Sequence, residues 1–224
     1  MWDTLFGAGR SAKSRMVAPE EALPGRAVRP FAIPSVHAVL GTPLEGPWPE
    51  GMKHLYVGLG CFWGAEKRFW RLDGVYTTAV GYQGGMTPNP TYEEVCTGRT
   101  GHAENVLVVY DPARLSTYDV LKVFWENHDP TQGYRQGNDV GTQYRSALYW
   151  TDDEQRELAE RTRDAYDAVL RGQGFDPITT EVLPAEGRPF YYAEDYHQQY
   201  LYKVPHGYDC HAHTGIDLPA VSEV

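Results

Sequence analysis

Residues 54–72 read His54-Leu55-Tyr56-Val57-Gly58-Leu59-Gly60-Cys61-Phe62-Trp63-Gly64-Ala65-Glu66-Lys67-Arg68-Phe69-Trp70-Arg71-Leu72. The first six make a short, largely apolar run that reads as a buried strand, and Ala65 to Leu72 reads as a helix. A strand handing over to a helix puts Cys61 at the helix N-terminus, where unpaired N–H groups and the macrodipole favour an anion. That position predicts a thiol pKa lowered from about 8.5 toward neutrality, and a thiolate available for attack. The plainer alternative is a buried core cysteine, the usual setting of a free thiol. Position and neighbours together favour a nucleophile.

Outward from this stretch, strands and helices alternate. Val75 to Tyr82 reads as a strand, followed by the turn-rich Gly84-Gly85-Met86-Thr87-Pro88-Asn89-Pro90 and a short helix through Glu93-Glu94-Val95. Ala103 to Tyr110 is a strong strand closed by Asp111-Pro112. Ser116, with Asp119 three residues on, predicts an N-cap for a helix whose apolar stripe is Val120, Leu121 and Phe124. Thr151-Asp152-Asp153-Glu154 predicts a capping box opening a helix that ends near Gly172, with Leu158, Ala165, Val169 and Leu170 inward. Ile178 to Leu183 reads as a strand and Ala193 to Lys203 as a helix. Regular βαβ alternation is absent, which favours α+β over a doubly wound sheet.

The flanks differ in character. Residues 1–50 are punctuated by Pro19, Pro24, Pro30, Pro34, Pro43, Pro47 and Pro49 and read as an extended arm with a mobile start. Phe31, Ile33, Val36, Val39 and Leu40 predict that its later part docks. Residues 51–203 form the catalytic α+β domain, and 204–224 an irregular tail rich in Pro, Gly and His.

Composition narrows the function. The chain has 224 residues, 42% of them hydrophobic and 22% charged, enough for one sizeable core. A net charge of -10 argues against nucleic acid or an anionic membrane as partner. No apolar run is long enough to cross a bilayer. The first residues lack a basic segment and apolar stretch, so a cytoplasmic location is expected. Cys61, Cys96 and Cys210 are an odd set, better explained as reactive thiols than as a disulfide framework.

Glu104 shares a strand face with Val106, Val108 and Tyr110. A carboxyl on an apolar face loses solvation, its pKa rises, and it can stay protonated near neutral pH. A protonated acid beside a thiolate is the pairing needed to expel a poor oxygen leaving group; the alternative is a strand-edge glutamate facing solvent. Tyr92, Asp139 and Tyr144 lie in turn-rich stretches where binding residues collect, and tyrosine hydroxyls can donate to a developing oxyanion. Taken singly, each is more often a packed or surface residue. Cys210, on the tail, can reach back and condense with an oxidised first thiol. His206, Cys210, His211 and His213 offer a competing metal reading, but their spacing matches no standard zinc motif. Cys96 has acidic rather than basic neighbours, which suits a bystander.

These words together resemble a known family. Gly60-Cys61-Phe62-Trp63-Gly64-Ala65-Glu66 resembles the signature of A-type peptide methionine sulfoxide reductases. Gly84 to Tyr92, Thr100 to Glu104, Phe124 to Pro130, Gln136 to Asp139, Gly141 to Ser146 and Tyr191 to Leu201 carry the resemblance over about residues 20–210. It implies a two-layer α/β sandwich with a ferredoxin-like core and mixed sheet, no cofactor and no metal. It implies that Cys61 attacks the sulfur of methionine S-sulfoxide, free or in proteins, while Glu104 protonates the oxygen. Tyr92 and Tyr144 would bind that oxygen, Asp139 would order a water, and Phe62 and Trp63 would wall a pocket for the methyl group. Cys210 would then form a disulfide with Cys61, reduced by thioredoxin or another thiol reductant; a monomer is expected.

Many members of that family carry a further cysteine after the resolving one, and Thr214 to Pro219 has none. Some place the resolving cysteine directly after a Gly-Tyr pair, whereas Asp209 intervenes here. A two-cysteine relay is implied. Two other readings compete: a thiol hydrolase or acyl transferase with His102 or His197 as base to Cys61, and a redox or metal sensor built on Cys210 and the tail histidines.

Overall fold

The computed structural model describes residues 13–210 and 212–221. Strand β1 (Lys53–Leu59) leads into α1 (Phe62–Phe69), β2 (Val75–Gln83), α2 (Tyr92–Cys96), β3 (Ala103–Tyr110) and α3 (Thr117–Glu126). A small hairpin of β4 (Arg135–Gln136) and β5 (Asp139–Val140) follows, then β6 (Ser146–Trp150) and α4 (Asp153–Gly172). The chain closes with β7 (Glu181–Pro184), β8 (Tyr191–Tyr192) and α5 (Tyr200–Lys203).

The main sheet runs β7-β6-β1-β3-β2-β8. All its pairings are antiparallel except β6 with β7, so the sheet is mixed. Its centre, β6-β1-β3-β2 with crossover helices α1 and α3, is the ferredoxin-like βαββαβ arrangement. Alternation on β1 and β3 explains the two layers. Leu55, Val57, Val106, Val108 and Tyr110 face the helices, where Phe69, Leu121, Phe124, Trp125 and Tyr166 complete the core. Tyr56, Leu107 and Val109 face the other way, and the N-terminal arm covers them with Leu44, Ile33, Trp48 and Met52. The arm therefore acts as a second lid on the sheet, which is why every residue of β3 is buried.

Several sequence expectations need correction. In the arm, Leu44 is the deepest anchor, while Val36 and Val39 are exposed; the expected mobile start lies outside the described residues. Helix α1 begins at Phe62, earlier than Ala65, because Cys61 itself is the N-cap. Asp152, not Thr151, caps α4, its side chain accepting from the Gln155 amide at 2.8 Å, and Ala159, Thr162 and Tyr166 replace Ala165 and Val169 on the buried face. The strand expected at 178–183 is β7.

The helix expected over 193–203 shrinks to one turn. Gln199 sits in the left-handed region at φ 50, and the side chain of Gln198 bonds the Val80 amide and carbonyl of β2. Those contacts to the sheet replace helical ones. After Lys203 the described residues of the tail include no helix or strand, yet they are anchored. Leu218 is buried in the core, the Leu218 amide donates to Glu126 at 2.8 Å, and the Tyr166 hydroxyl donates to the Ile216 carbonyl at 2.8 Å.

Candidate active site

Strand β1 ends against Gly60, whose φ of 92 is open to glycine and little else. A side chain there would also collide with Gln136, 2.6 Å from where its Cβ would sit. This turn delivers Cys61 as the N-cap of α1, 8% exposed. The expected depression of its pKa is not what the environment produces. Burial pushes the thiol well up, the Glu104 charge pushes it further, and the Trp63 backbone N–H opposes them. One N–H and a two-turn helix do not offset the loss of water around a thiolate. At rest the group is a neutral thiol.

Glu104 lies on β3 opposite Tyr82 of β2 and is 2% exposed. Burial raises its pKa to about 8, the Asp139 charge adds to the rise, and the Phe62 N–H opposes it. That amide donates to Glu104 Oε2 at 3.0 Å. A protonated carboxyl thus sits on the first turn of α1, one residue from the thiol.

The resemblance-derived polar residues converge on the same point. Tyr144, in the 3₁₀ turn Thr142–Tyr144, lies within electrostatic reach of Glu104, Tyr92, Asp139 and Cys61. Tyr92 opens α2, whose N-terminus is fixed by a capping box between Thr91 and Glu94. Burial, then Glu104, raises both phenols, so both hydroxyls remain donors. Asp139 on β5 is half-buried, its pKa raised by burial, and it accepts from the Tyr208 hydroxyl at 3.0 Å.

Two residues expected to line a pocket divide the work. Phe62 is fully buried, its ring 5.8 Å from Tyr82 and 5.1 Å from His197. Trp63 is half-exposed and stacks on Tyr200 at 3.9 Å, with its indole N–H donating to His197 Nδ1 at 2.9 Å. His197 also meets the Tyr92 ring at 4.4 Å. Phe62 is thus a core ring and Trp63 a partly exposed one.

Glu194 was not singled out for this site by sequence, and His197 entered only as a candidate base to Cys61. Glu194 accepts from the Tyr92 amide and the Tyr82 hydroxyl, both at 2.8 Å, tying β2 to α2. The signal for Glu194 was membership of the word Tyr191 to Leu201.

Cys61, Cys96 and Cys210 are free thiols. Cys210 is half-buried with Sγ 3.9 Å from the Gln136 carbonyl, within electrostatic reach of Cys61. Cys96 ends α2 with its thiol hydrogen-bonded to Tyr92. Neither candidate histidine base suits a hydrolase. His102 is tied to the Gly85 amide and Thr87 carbonyl, with its pKa lowered to about 4 by burial. His197, occupied by Trp63, is lowered to about 3 by burial. Among the described residues no three His, Cys, Asp or Glu side chains gather as a metal site requires; His211 lies outside them.

A cysteine capping a helix, a buried carboxyl on the adjacent strand and phenol donors around them, on a ferredoxin-like frame, define a thiol-and-acid site. The family model for peptide methionine sulfoxide reductase matches residues 53–223. A peptide methionine sulfoxide reductase MsrA of Rhodospirillum centenum is 59% identical over 214 residues, 96% of this chain and 96% of the relative. One from Brucella anthropi is 58% identical over 207 residues, 92% of this chain and 94% of the relative. Among solved structures, methionine sulfoxide reductase A of Corynebacterium diphtheriae has a TM-score of 0.81 at 48% identity, covering 92% of this chain and 100% of that one. Mxr1 of Saccharomyces cerevisiae in reduced form has a TM-score of 0.66 at 34% identity, covering 75% and 94%. The chain belongs to the peptide methionine sulfoxide reductase family, of the A type.

Proposed function

We propose that this protein reduces methionine S-sulfoxide, free and within proteins, to methionine, using Cys61 as nucleophile, Glu104 as acid and Cys210 as resolving thiol. The observation that carries the reading is the hydrogen bond from the Phe62 amide to the Glu104 carboxyl, which places the acid beside the thiol, while burial, against that bond, keeps it neutral.

The reaction needs a proton at the sulfoxide oxygen as the sulfur is attacked, and both groups hold protons at neutral pH. Cys61 sulfur bonds the sulfoxide sulfur as its thiol proton leaves, and Glu104 donates to the oxygen. Tyr92 and Tyr144 donate to the same oxygen as charge grows on it. Asp139, whose second oxygen is not taken by Tyr208, orders a water there. The substrate S–O bond breaks and its protonated oxygen leaves as water. A water then attacks the Cys61 sulfur, the Cys61–substrate S–S bond breaks, and methionine leaves as the thioether, so that thiol plus sulfoxide becomes sulfenic acid plus sulfide. Phe62 and Trp63 hold the substrate methyl.

Cys210 then condenses with the sulfenic acid, and a thioredoxin-like dithiol reduces the disulfide. One reductase acts on each sulfoxide epimer, and this one is assigned the S form. The role is repair of oxidised methionine, in the cytoplasm and as a monomer. The arm of residues 1–50, the catalytic unit 51–203 and the tail 204–224 serve as brace, site and relay. Among the described residues no helix is long and apolar enough to cross a membrane.

Turnover of separated S and R sulfoxides with dithiothreitol, then with thioredoxin, thioredoxin reductase and NADPH, tests the reading. Methionine should form from the S epimer with both reductants. Equal turnover of the two epimers, or none, contradicts it.

A further inference from the structure

Tyr208-Asp209-Cys210 lies folded against the first turn of α1, although the described residues after Lys203 have no regular structure of their own. Resting on the reading that Cys210 resolves the sulfenic acid on Cys61, we propose that Asp209 is a positioning residue that clips the tail to α1 and holds the Cys210 thiol ready for Cys61.

Asp209 Oδ2 pairs with Lys67 Nζ at 2.9 Å, and the two side chains are only 13% and 24% exposed. Its other oxygen is buried without a hydrogen-bond partner. That oxygen rests on Gly64, where an added Cβ would come within 2.5 Å of it, and the Cys210 amide lies 3.6 Å from the same point. The carboxylate therefore occupies the N-terminal turn of the helix that Cys61 caps, where the macrodipole favours an anion. Only a residue without a side chain at position 64 allows the tail so close.

Neighbouring contacts complete the clip. On one side of Asp209 the Tyr208 hydroxyl donates to Asp139 on β5. On the other, Cys210 Sγ rests 3.9 Å from the Gln136 carbonyl on β4. Three consecutive tail residues are thus attached to α1 and to the β4-β5 hairpin, the two elements that flank Cys61. The ionic one of these attachments is the part-buried Lys67–Asp209 pair, and removing one partner leaves the other charge uncompensated. Holding two reacting groups in place raises their effective concentration without adding a contact in the chemical step. The step served is Cys61–SOH plus Cys210–SH giving the Cys61–Cys210 disulfide and water. The S–O bond breaks, the S–S bond forms, and the Cys210 proton leaves with the hydroxyl. The inserted Asp209 so gains a task that the sequence left open.

The test is anaerobic single turnover with methionine S-sulfoxide and no reductant, on wild type and on D209N, K67M and K67R. Quenched samples are assayed for methionine, for dimedone-labelled Cys61 and for disulfide by peptide mapping. D209N and K67M should release one methionine per enzyme at the wild-type rate, which also reports an intact site. Their disulfide should close about tenfold or more slowly, with labelled Cys61 accumulating, and K67R should restore fast closure. Unchanged closure in D209N and K67M, or methionine release slowed as much as closure, overturns the clip. A C210S arm separates the underlying reading: persistent Cys61 sulfenic acid supports Cys210 as resolver. Disulfide formation in C210S at the wild-type rate removes that reading and the clip with it.

Discussion

The Phe62 amide and the Glu104 carboxyl are joined by a 3.0 Å hydrogen bond that links the first turn of α1 to the middle of the sheet. It uses one of the helix's unpaired N–H groups and one oxygen of the acid. The other oxygen makes no hydrogen bond among the described residues and is free to carry the proton. The contact also means that a carboxylate at position 104 would crowd the Cys61 thiol with negative charge. Burial keeps both groups neutral until substrate arrives.

Replacing Glu104 by Gln should therefore slow methionine release about 10²–10⁴-fold, since the amide keeps the shape but has no acidic proton to deliver. In wild type, kcat/KM should fall as pH rises past about 8, where Glu104 loses its proton. The variant should lack that fall. Rapid-quench assays across pH read both effects, and a loss below about tenfold contradicts an acid role.

Stability should depend on pH in two opposed ways. Glu66 and Glu104 have pKa values raised to about 7 and about 8, chiefly by burial. Between their unfolded values near 4.5 and these values the folded state binds more protons, so their contribution is full below about 4.5 and is lost as pH rises through 7 and 8. Burial lowers His37, His102 and His128 to about 4 and His197 to about 3. There the unfolded state binds more protons, so stability rises with pH up to about 6.5. Urea melts should show a maximum near pH 6.5 and a decline toward pH 9, and E66Q should reduce that decline. A curve rising steadily from pH 6.5 to 9 contradicts the buried neutral carboxyls.

The arm should matter for the site's frame. Arg26 donates to both Glu94 oxygens at 2.6 and 2.9 Å and to the Asn89 carbonyl at 2.7 Å, bracketing the turn before Tyr92. The pair is 32% and 25% exposed, so screening trims its value. R26M should lower Tm, measured by calorimetry, by an amount that high salt reduces. An unchanged Tm shows that the arm does not brace this turn.

Much of this was legible in the chain. The apolar run His54 to Leu59 followed by the helical Ala65 to Leu72 marked the strand-to-helix turn at Cys61, and alternation from Glu104 to Tyr110 placed the acid on the apolar face. What failed was non-local. Cys61's position at a helix N-terminus predicted a lowered pKa, but the burial that reverses it comes from the sheet, the hairpin and the tail, which no local window contains. The helix expected over 193–203 was lost to Gln198 and Gln199, whose side chains bond the distant Val80 and Glu66. The covering of the sheet's second face by Leu44 and Trp48 is likewise a tertiary fact, because the prolines around them carry no period.

The most direct test of the central claim is one turnover of C210S, with the C61S and double variants beside it. Enzyme without reductant is mixed with excess methionine S-sulfoxide, and methionine and dimedone-labelled cysteine are quantified. A serine hydroxyl is no usable nucleophile in place of the thiol, so C61S and C61S/C210S should release nothing. C210S should release about one methionine per enzyme, with the label on Cys61. Methionine release by folded C61S, or a label on Cys96 in place of Cys61, would show that the nucleophile lies elsewhere.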